Sequence, residues 1–508
     1  MFLGNWADKT PNKPAMIFAS NGQVVTYREL DDRSMQLAQL FHARGLRVGD
    51  RVALFMENNP RFMEVVWAAL RSGLEIVPVN RFALLDEVSY IVNDSGAKAF
   101  VTSSARADVA RDVPPATPQC HVLLMCDGTV DGFDAYEAAI AAQPVAPLGE
   151  AWAGSIMPYT SGTTGRPKGV YRKPPQGQLI SEQWATTTLF EQEYGFGPDM
   201  VYLSPAPLYH GAPIRFARAI HSVGGTLIVM EKFDERRALE LIERYRVTHS
   251  QWVPTMFVRM LRLPREVREA FDVSSLRFAV HAAAPCPVDI KREMIEWWGP
   301  IIYEYYGATD GCVDTQISSE EWLRHPGSVG KPAPGMKICD DSGEPVPDGE
   351  EGFIYAEWNC DIAYLNDPVK TASAHNPKYY NLWTVGDIGY VKDGYLYLSG
   401  RRGFTIISGG VNIYPQAVED AIINCEMVRD VAVIGVPNAL MGEEVKAVVE
   451  LMPGVAASPE TEAAIIAYTR SKIAAYMAPR SVDFVDALPR LPTGKLYKQG
   501  LIDKYRAK

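Results

Sequence analysis

A chain of 508 residues exceeds the usual size of one domain and has room for two or three folding units with ample cores. Its formal net charge of −11, with no long basic run, argues against a nucleic-acid or anionic-membrane partner, so any polyanionic ligand has to be held by local cations. The seven cysteines are odd in number and contain no C-x-x-C pair, which indicates neither a zinc site nor a disulfide framework and suits a reducing cytoplasm. Neither the opening Met1-Phe2-Leu3-Gly4-Asn5-Trp6 nor any later window has the length of apolar chain needed for a signal or a membrane span.

From 26 to 79 helix and strand patterns alternate. Leu30, Leu37, Leu40 and Phe41 recur at helical spacing before Gly45, and Val52-Ala53-Leu54-Phe55-Met56 reads as a buried strand. An amphipathic stretch over 62–70 stops at Gly73 and leads into Ile76-Val77-Pro78-Val79, a βαβ arrangement and hence a parallel sheet. A helix over 85–92 and a strand at 99–101 follow. Residues 103–154, rich in Ala, Pro and Asp, read as variable connections.

The next stretch carries chemistry. Tyr159-Thr160-Ser161-Gly162-Thr163-Thr164-Gly165-Arg166-Pro167-Lys168-Gly169-Val170 combines glycines, which bring backbone N–H groups close to a ligand, with hydroxyl donors and two cations. Such a loop is built to hold phosphate. It is not G-x-x-x-x-G-K-[ST], because Gly169 follows Lys168 where a Mg-binding hydroxyl would stand, and Pro174-Pro175 prevents an immediate long helix.

The βα rhythm then resumes with strands at 226–230, 250–253 and 276–280 and a helix that Asp234 can cap. The strands at 276–280 and 301–305 lead into His281-Ala282-Ala283-Ala284-Pro285 and Tyr306-Gly307-Ala308-Thr309-Asp310-Gly311, loops placed where ligands of open α/β sheets bind. From 327 to 400 short runs punctuated by Gly, Pro and Asp read as antiparallel β structure. Beyond 401 comes an α+β piece, with helices at 416–424 and 460–475 and strands at 431–436 and 445–451. It holds 12 Lys+Arg and 12 Asp+Glu, so residues 1–401 carry the whole net charge.

Besides 159–170, the chain contains in order Tyr209-His210, Tyr305-Tyr306-Gly307-Ala308-Thr309-Asp310, Val385-Gly386-Asp387 followed by Gly400-Arg401, and Pro492-Thr493-Gly494-Lys495. Together these resemble the signature of the acyl-adenylate-forming superfamily of acyl-CoA synthetases, luciferases and nonribosomal adenylation domains. The resemblance implies an α/β fold: a large N-terminal part of βα sheets with a β-rich subdomain (1–401), then a small mobile α+β C-terminal domain (402–508). It implies ATP-dependent activation of a carboxylic acid to acyl-AMP, with Mg²⁺, and transfer to CoA.

The same resemblance assigns residues. Thr160, Ser161, Gly162, Thr163, Thr164, Gly165 and Lys168 would cradle phosphate. Ala283, Ala284, Glu304, Tyr305, Tyr306 and Gly307 would frame the adenine, with Tyr306 offering a flat face. Thr309 would meet the α-phosphate, and Asp310, where the superfamily usually has glutamate, would hold Mg²⁺ as a hard oxygen ligand. Asp387 and Arg401 would bind the ribose. His210 would position the acid near the CoA channel, and Lys495 would bridge the carboxylate and the α-phosphate as a full positive charge. Thr164, His210, Asp310 and Lys495 thus form the expected catalytic set. Tyr209, His210, Trp252, Ala282 and Gly307 would border the acyl pocket, and Ser408, Gly409 and Gly410 would line the pantetheine passage. Gly403, where the superfamily usually has Asp or Lys, would be the hinge.

The look is closest to fatty-, aryl- or bile-acid-type CoA ligases. An amine acceptor, a luciferase-like oxygenation and a non-catalytic nucleotide-binding scaffold remain as rivals, and a homodimer is compatible with the sequence.

Overall fold

The computed structural model describes residues 2–149, 151–160, 166–173, 177–182, 184–308, 314–357, 362–438, 440–490 and 496–506. The chain divides into two compact units, one of Met1–Trp252, Arg259–Val280 and Cys360–Ala372, the other of Val253–Val258, His281–Asn359 and Ser373–Lys508.

The first unit contains two βα sheets, as the alternating pattern predicts. One is parallel throughout, in the order Asp134–Ala135, Val122–Cys126, Ala99–Ser103, Arg51–Phe55, Glu75–Pro78, Ser155–Ile156. Its near-continuous apolar strands suit burial on both faces, and Ala53, Phe55, Val77, Phe100 and Met125 form part of one core with the helix Leu85–Ser95. In the other sheet His249–Trp252, Val201–Ser204, Thr226–Val229 and Pro14–Phe18 run side by side, and Val24–Thr26 folds back antiparallel. Thr26 then caps the helix Tyr27–Ala43 reciprocally with Glu29, a capping box that fixes where the helix starts. Asp234 caps Glu235–Tyr245 by accepting from the Arg237 N–H, as expected.

Three expectations need correction. The span 103–154 is more than connections, because the apolar run Val122–Cys126 is a strand and Tyr136–Ala141 a helix. The run 327–400 is not one antiparallel piece: Ile362–Tyr364 leaves it to pair with Lys168–Arg172 in the first unit, and the helix Pro368–Ala374 follows. Tyr306 and Gly307 lie on the strand Ile302–Gly307 and not in a loop, since Asp314–Ile317 folds back antiparallel and extends the ladder to Gly307↔Asp314.

In the second unit an antiparallel sheet runs Ser328–Gly330, Tyr395–Arg401, Asp387–Lys392, Gly352–Glu357, Lys337–Cys339, around Val329, Ile338, Ile354, Ala356 and Leu396. The C-terminal α+β piece is built on the hairpin Val428–Asn438 with Gly442–Leu451, to which Ile406–Ser408 adds antiparallel and Ser481–Phe484 parallel. Its helix Pro459–Lys472 is specified at both ends: Ser458 caps it, Pro459 stands in the first turn with Glu460 and Glu462, and Arg470 and Lys472 face the negative C-terminal end. The strand Ser481–Phe484 and the helix Lys498–Arg506 add to the expected elements.

Within this unit a cavity of about 750 Å³ has walls from both sides of Gly403: Glu304, His325, Tyr390 and Tyr397 before it, Tyr414, Gln416, Asp420 and Met477 after it. Beside it the Tyr414 ring lies so close to Gly400 that an added Cβ would sit 2.7 Å from Cδ1. The Tyr414 hydroxyl donates to Glu351 Oε2 at 2.9 Å, and the Ser399 hydroxyl donates to Oε1 at 2.5 Å.

Candidate active site

In the first unit the flanks of the phosphate loop form an antiparallel pair, Tyr159–Thr160 with Lys168–Arg172, in the register Lys168↔Thr160 and Gly169↔Tyr159. Residues 161–165 lie outside the described residues, and with them Ser161, Gly162, Thr163, Thr164 and Gly165. Both ends of the loop are nevertheless tied down. The Tyr159 hydroxyl donates to Asp94 Oδ2 at 2.7 Å, and Asn366 reaches the same Asp94. Burial, then the Asp94 bond, pushes the Tyr159 phenol far above its usual range. Gly169 packs tightly against that ring, where an added Cβ would stand 3.0 Å from Tyr159 Cζ. Lys168 Nζ is 3.7 Å from Asp367 Oδ2, long enough for the ammonium to turn to a closer anion, and the Arg166 guanidinium rests over Tyr90 at 5.0 Å.

His210 stands at the N-cap of the helix Gly211–Val223, and its ring lies 4.2 Å from that of Tyr209. Tyr209 is buried with its hydroxyl lacking a hydrogen-bond partner among the described residues, and burial raises its pKa. Trp252 is also buried and donates through Nε1 to Ser250 Oγ at 2.7 Å. Ala282 and Gly307, the remaining expected pocket residues, belong to the second unit.

The second unit brings three expected residues together. Asp387 and Arg401 are directly opposed in the ladder of Asp387–Lys392 with Tyr395–Arg401, and Arg401 Nε stands 3.4 Å from Asp387 Oδ1. Arg401 also donates to the Val385 carbonyl at 3.1 Å. The Tyr306 hydroxyl donates to Asp387 Oδ2 at 2.7 Å. Burial first, then the Asp387 charge, holds the Tyr306 phenol well above its ordinary range, so it stays a donor at any working pH. The carboxylate keeps lone pairs free for two further hydroxyl donors, the valence of a ribose diol.

Behind this trio the Glu304 carboxylate is committed elsewhere. It accepts from Lys291 Nζ at 2.6 Å, with both side chains buried, and His281 Nε2 stands 3.4 Å away. Burial raises the Glu304 pKa against the pull of Lys291, and burial followed by the Lys291 charge keeps His281 neutral. Lys291 also lies 4.8 Å from the Trp322 ring centre. Sequence reading missed Lys291, although the signal was present: on the helix Val288–Trp298 it shares one face with Met294, Ile295 and Trp298, a lone cation on an apolar stripe. Ala283, one of the residues expected to frame the adenine, has φ +76°, a strained conformation for a residue with a side chain.

Gly409 and Gly410, at φ +58° and +81°, form a two-residue turn between Ile406–Ser408 and Val411–Ile413, so the hairpin alone requires both glycines. Gly403 lies in a turn in which the Phe404 N–H donates to the Arg401 carbonyl at 3.0 Å. Thr309, Asp310 and Lys495 lie outside the described residues. Among the described residues no group of three or more His, Cys, Asp or Glu could hold a metal, and no helix is long and apolar enough to cross a membrane.

Residues 3–359 match the AMP-binding enzyme family and residues 417–495 the AMP-binding enzyme C-terminal domain. Among similar proteins is a feruloyl-CoA synthase of an Amycolatopsis species, 32% identical over 98% of this chain and 97% of that one. A long-chain-fatty-acid–CoA ligase of Mycobacterium tuberculosis is 31% identical over 99% and 97%. The fold is shared with an amide bond synthetase of Marinactinospora thermotolerans, at 26% identity and a TM-score of 0.80 over 99% of each chain. With family models matching residues 3–359 and 417–495 and relatives above 30% identical along nearly the whole length, the chain belongs to the AMP-binding enzyme family of adenylate-forming ligases.

Proposed function

We propose that this chain activates a carboxylic acid with ATP and passes the acyl group to the thiol of CoA. The Tyr306–Asp387–Arg401 trio carries the reading: a carboxylate oriented from two sides, with acceptor capacity left for a ribose. In the first half-reaction an acid oxygen bonds to the α-phosphorus and the bond to the bridging oxygen breaks, releasing pyrophosphate. In the second, the CoA sulfur bonds to the acyl carbon and AMP leaves. Thr160, Lys168 and residues 161–165 are assigned to the phosphates, Thr309 to the α-phosphate and Lys495 to the charge developing there. Ala283, Ala284, Tyr305 and Tyr306 are assigned to the adenine; Glu304 supports that wall through Lys291. Asp310 is assigned to Mg²⁺, whose chemistry when bound is to offset phosphate charge, and a single carboxylate is a suitable hard donor for it.

The C-terminal domain is taken to begin at 402 and to turn at Gly403 between the half-reactions, with Ser408, Gly409 and Gly410 beside the passage of the thiol. Retention of Lys168, Asp387, Arg401 and Lys495 together favours a working enzyme over a scaffold. Transfer to an amine is the second reading, favoured by the likeness to an amide bond synthetase. Pyrophosphate exchange with a panel of acids tests the adenylation, and supplying CoA or amines to the preformed adenylate tests the acceptor. Exchange without thioester, but with amide, would overturn the CoA assignment. Lys495→Ala should depress exchange by roughly a hundredfold while still converting supplied acyl-AMP.

A further inference from the structure

The helix Gly211–Val223, which begins just after His210, carries a guanidinium where an aliphatic side chain would be expected. Arg218 is only 3% exposed. Its donors meet neutral groups alone: Nη2 donates to Thr186 Oγ1 at 2.6 Å and Nη1 to Thr187 Oγ1 at 3.4 Å, and the guanidinium carbon lies 4.4 Å from the Trp184 ring centre. Among the described residues no carboxylate pairs with it. Burying an ion without a counter-charge is expensive, and here burial and the like charge of Arg215 draw the Arg218 pKa down to about 9. A second donor is stranded beside it, because the Trp184 Nε1–H is buried with no acceptor among the described residues. Two buried donor groups therefore share one place that, among the described residues, offers them two hydroxyls and no anion.

The location links this place to the reaction. Gly211, Arg215 and Arg218 follow one another on one stripe of the helix, at spacings of four and three residues, and the stripe passes from partly open positions beside His210 to the buried guanidinium. Eight residues of helix place Arg218 about 12 Å along the axis from His210.

We propose that Arg218, with the Trp184 indole N–H, receives a second, anionic group at the far end of the acyl substrate, so that the preferred acid is one bearing a distal carboxylate. This rests on the acid-activating function proposed above. The anion would supply the counter-charge that the guanidinium lacks and the acceptor that Trp184 lacks. The Trp184 ring covers the site and is itself partly exposed, so it is the element that shifts when the group enters.

The test is pyrophosphate exchange with straight-chain and aryl acids, each presented with and without a terminal carboxylate at matched length, using the full-length enzyme, Arg218→Met and Arg218→Lys. For the wild type, kcat/KM should favour the diacid at its optimal length by roughly ten-thousandfold, the discrimination expected when a site built for a polar group is left unpaired. Arg218→Met should bring that ratio to one or below, losing diacid turnover far more than monoacid turnover, and Arg218→Lys should keep part of it. Thermal-shift titration with the same diacids gives a second readout, in which stabilisation of the wild type should be absent in Arg218→Met. If Arg218→Met does not fold, the wild-type ratio alone decides. A wild type that activates monoacids as well as diacids, or an Arg218→Met ratio equal to that of the wild type, overturns the proposal. Exchange with no acid of either kind overturns the ligase reading itself.

Discussion

One substitution separates the role proposed for the Tyr306 ring from the bond its hydroxyl makes. Its ring is the surface assigned to the adenine, while its hydroxyl steers one oxygen of Asp387 at 2.7 Å. Tyr306→Phe keeps the ring and removes a hydrogen bond to a charged group, worth about 1.5–3 kcal/mol, and leaves Asp387 free to close fully on Arg401. The expected outcome is a rise in KM for ATP of about tenfold or more, with kcat for the acid nearly unchanged. Equal falls in kcat with acid and ATP saturating would mean the phenol serves the chemistry and not the nucleotide. Asp387 and Arg401 were legible in the sequence because both lie in short motifs at fixed spacing. Lys291 and Arg218 belong to no motif, and their importance comes from burial, which only packing reveals.

At the scale of the element, the glycine pair at the tip of the hairpin Ile406–Ser408 with Val411–Ile413 is dictated by backbone conformation. Both residues occupy left-handed φ, so Gly410→Val should cost about 1–2 kcal/mol, visible as a lower Tm, whatever its effect on turnover. Loss of thioester formation without loss of stability would show instead that the glycines serve the passage of a thin ligand. The neighbouring helix Pro415–Ile423 carries Asp420, partly buried and bonded to Gln416 at 2.8 Å. Burial raises its pKa from 3.8 to about 7, with Glu419 raising it further and Gln416 and Lys498 opposing. The folded state therefore binds this proton where the unfolded chain has lost it. Stability contributed by the protonated acid falls as pH rises from about 4 and is gone above about 7. Asp420→Asn should raise Tm above neutral pH and flatten the slope below it; a parallel shift at all pH values would deny that titration is the cause.

For the whole molecule, the alternation of helix and strand up to residue 101 and from 226 to 307 announced the parallel sheets, because buried parallel strands are unbroken apolar runs. What the pattern could not give was the partner of a short strand. Ile362–Tyr364 sits amid antiparallel texture, yet its ladder is with Lys168–Arg172, nearly two hundred residues earlier, and three residues of strand carry no register information of their own. The stretch expected to hold phosphate stood out in the sequence by its composition, and its flanks Tyr159–Thr160 and Lys168–Arg172 form an antiparallel pair.

The cavity of about 750 Å³ has a consequence in terms of water activity. It is partly open to solvent, so water wets the walls formed by Glu304, His325 and Tyr397 before Gly403 and by Tyr414, Gln416 and Asp420 after it. Were the chain to turn at Gly403, as proposed, these walls would part and bare further surface to be hydrated. Osmolytes excluded from protein surfaces, such as sucrose, oppose that step. They should slow whichever half-reaction requires the walls apart and leave the other at its viscosity-corrected rate, measured by pyrophosphate exchange against single-turnover consumption of acyl-AMP. Equal osmotic sensitivity of both half-reactions would mean the walls stay together through the whole cycle.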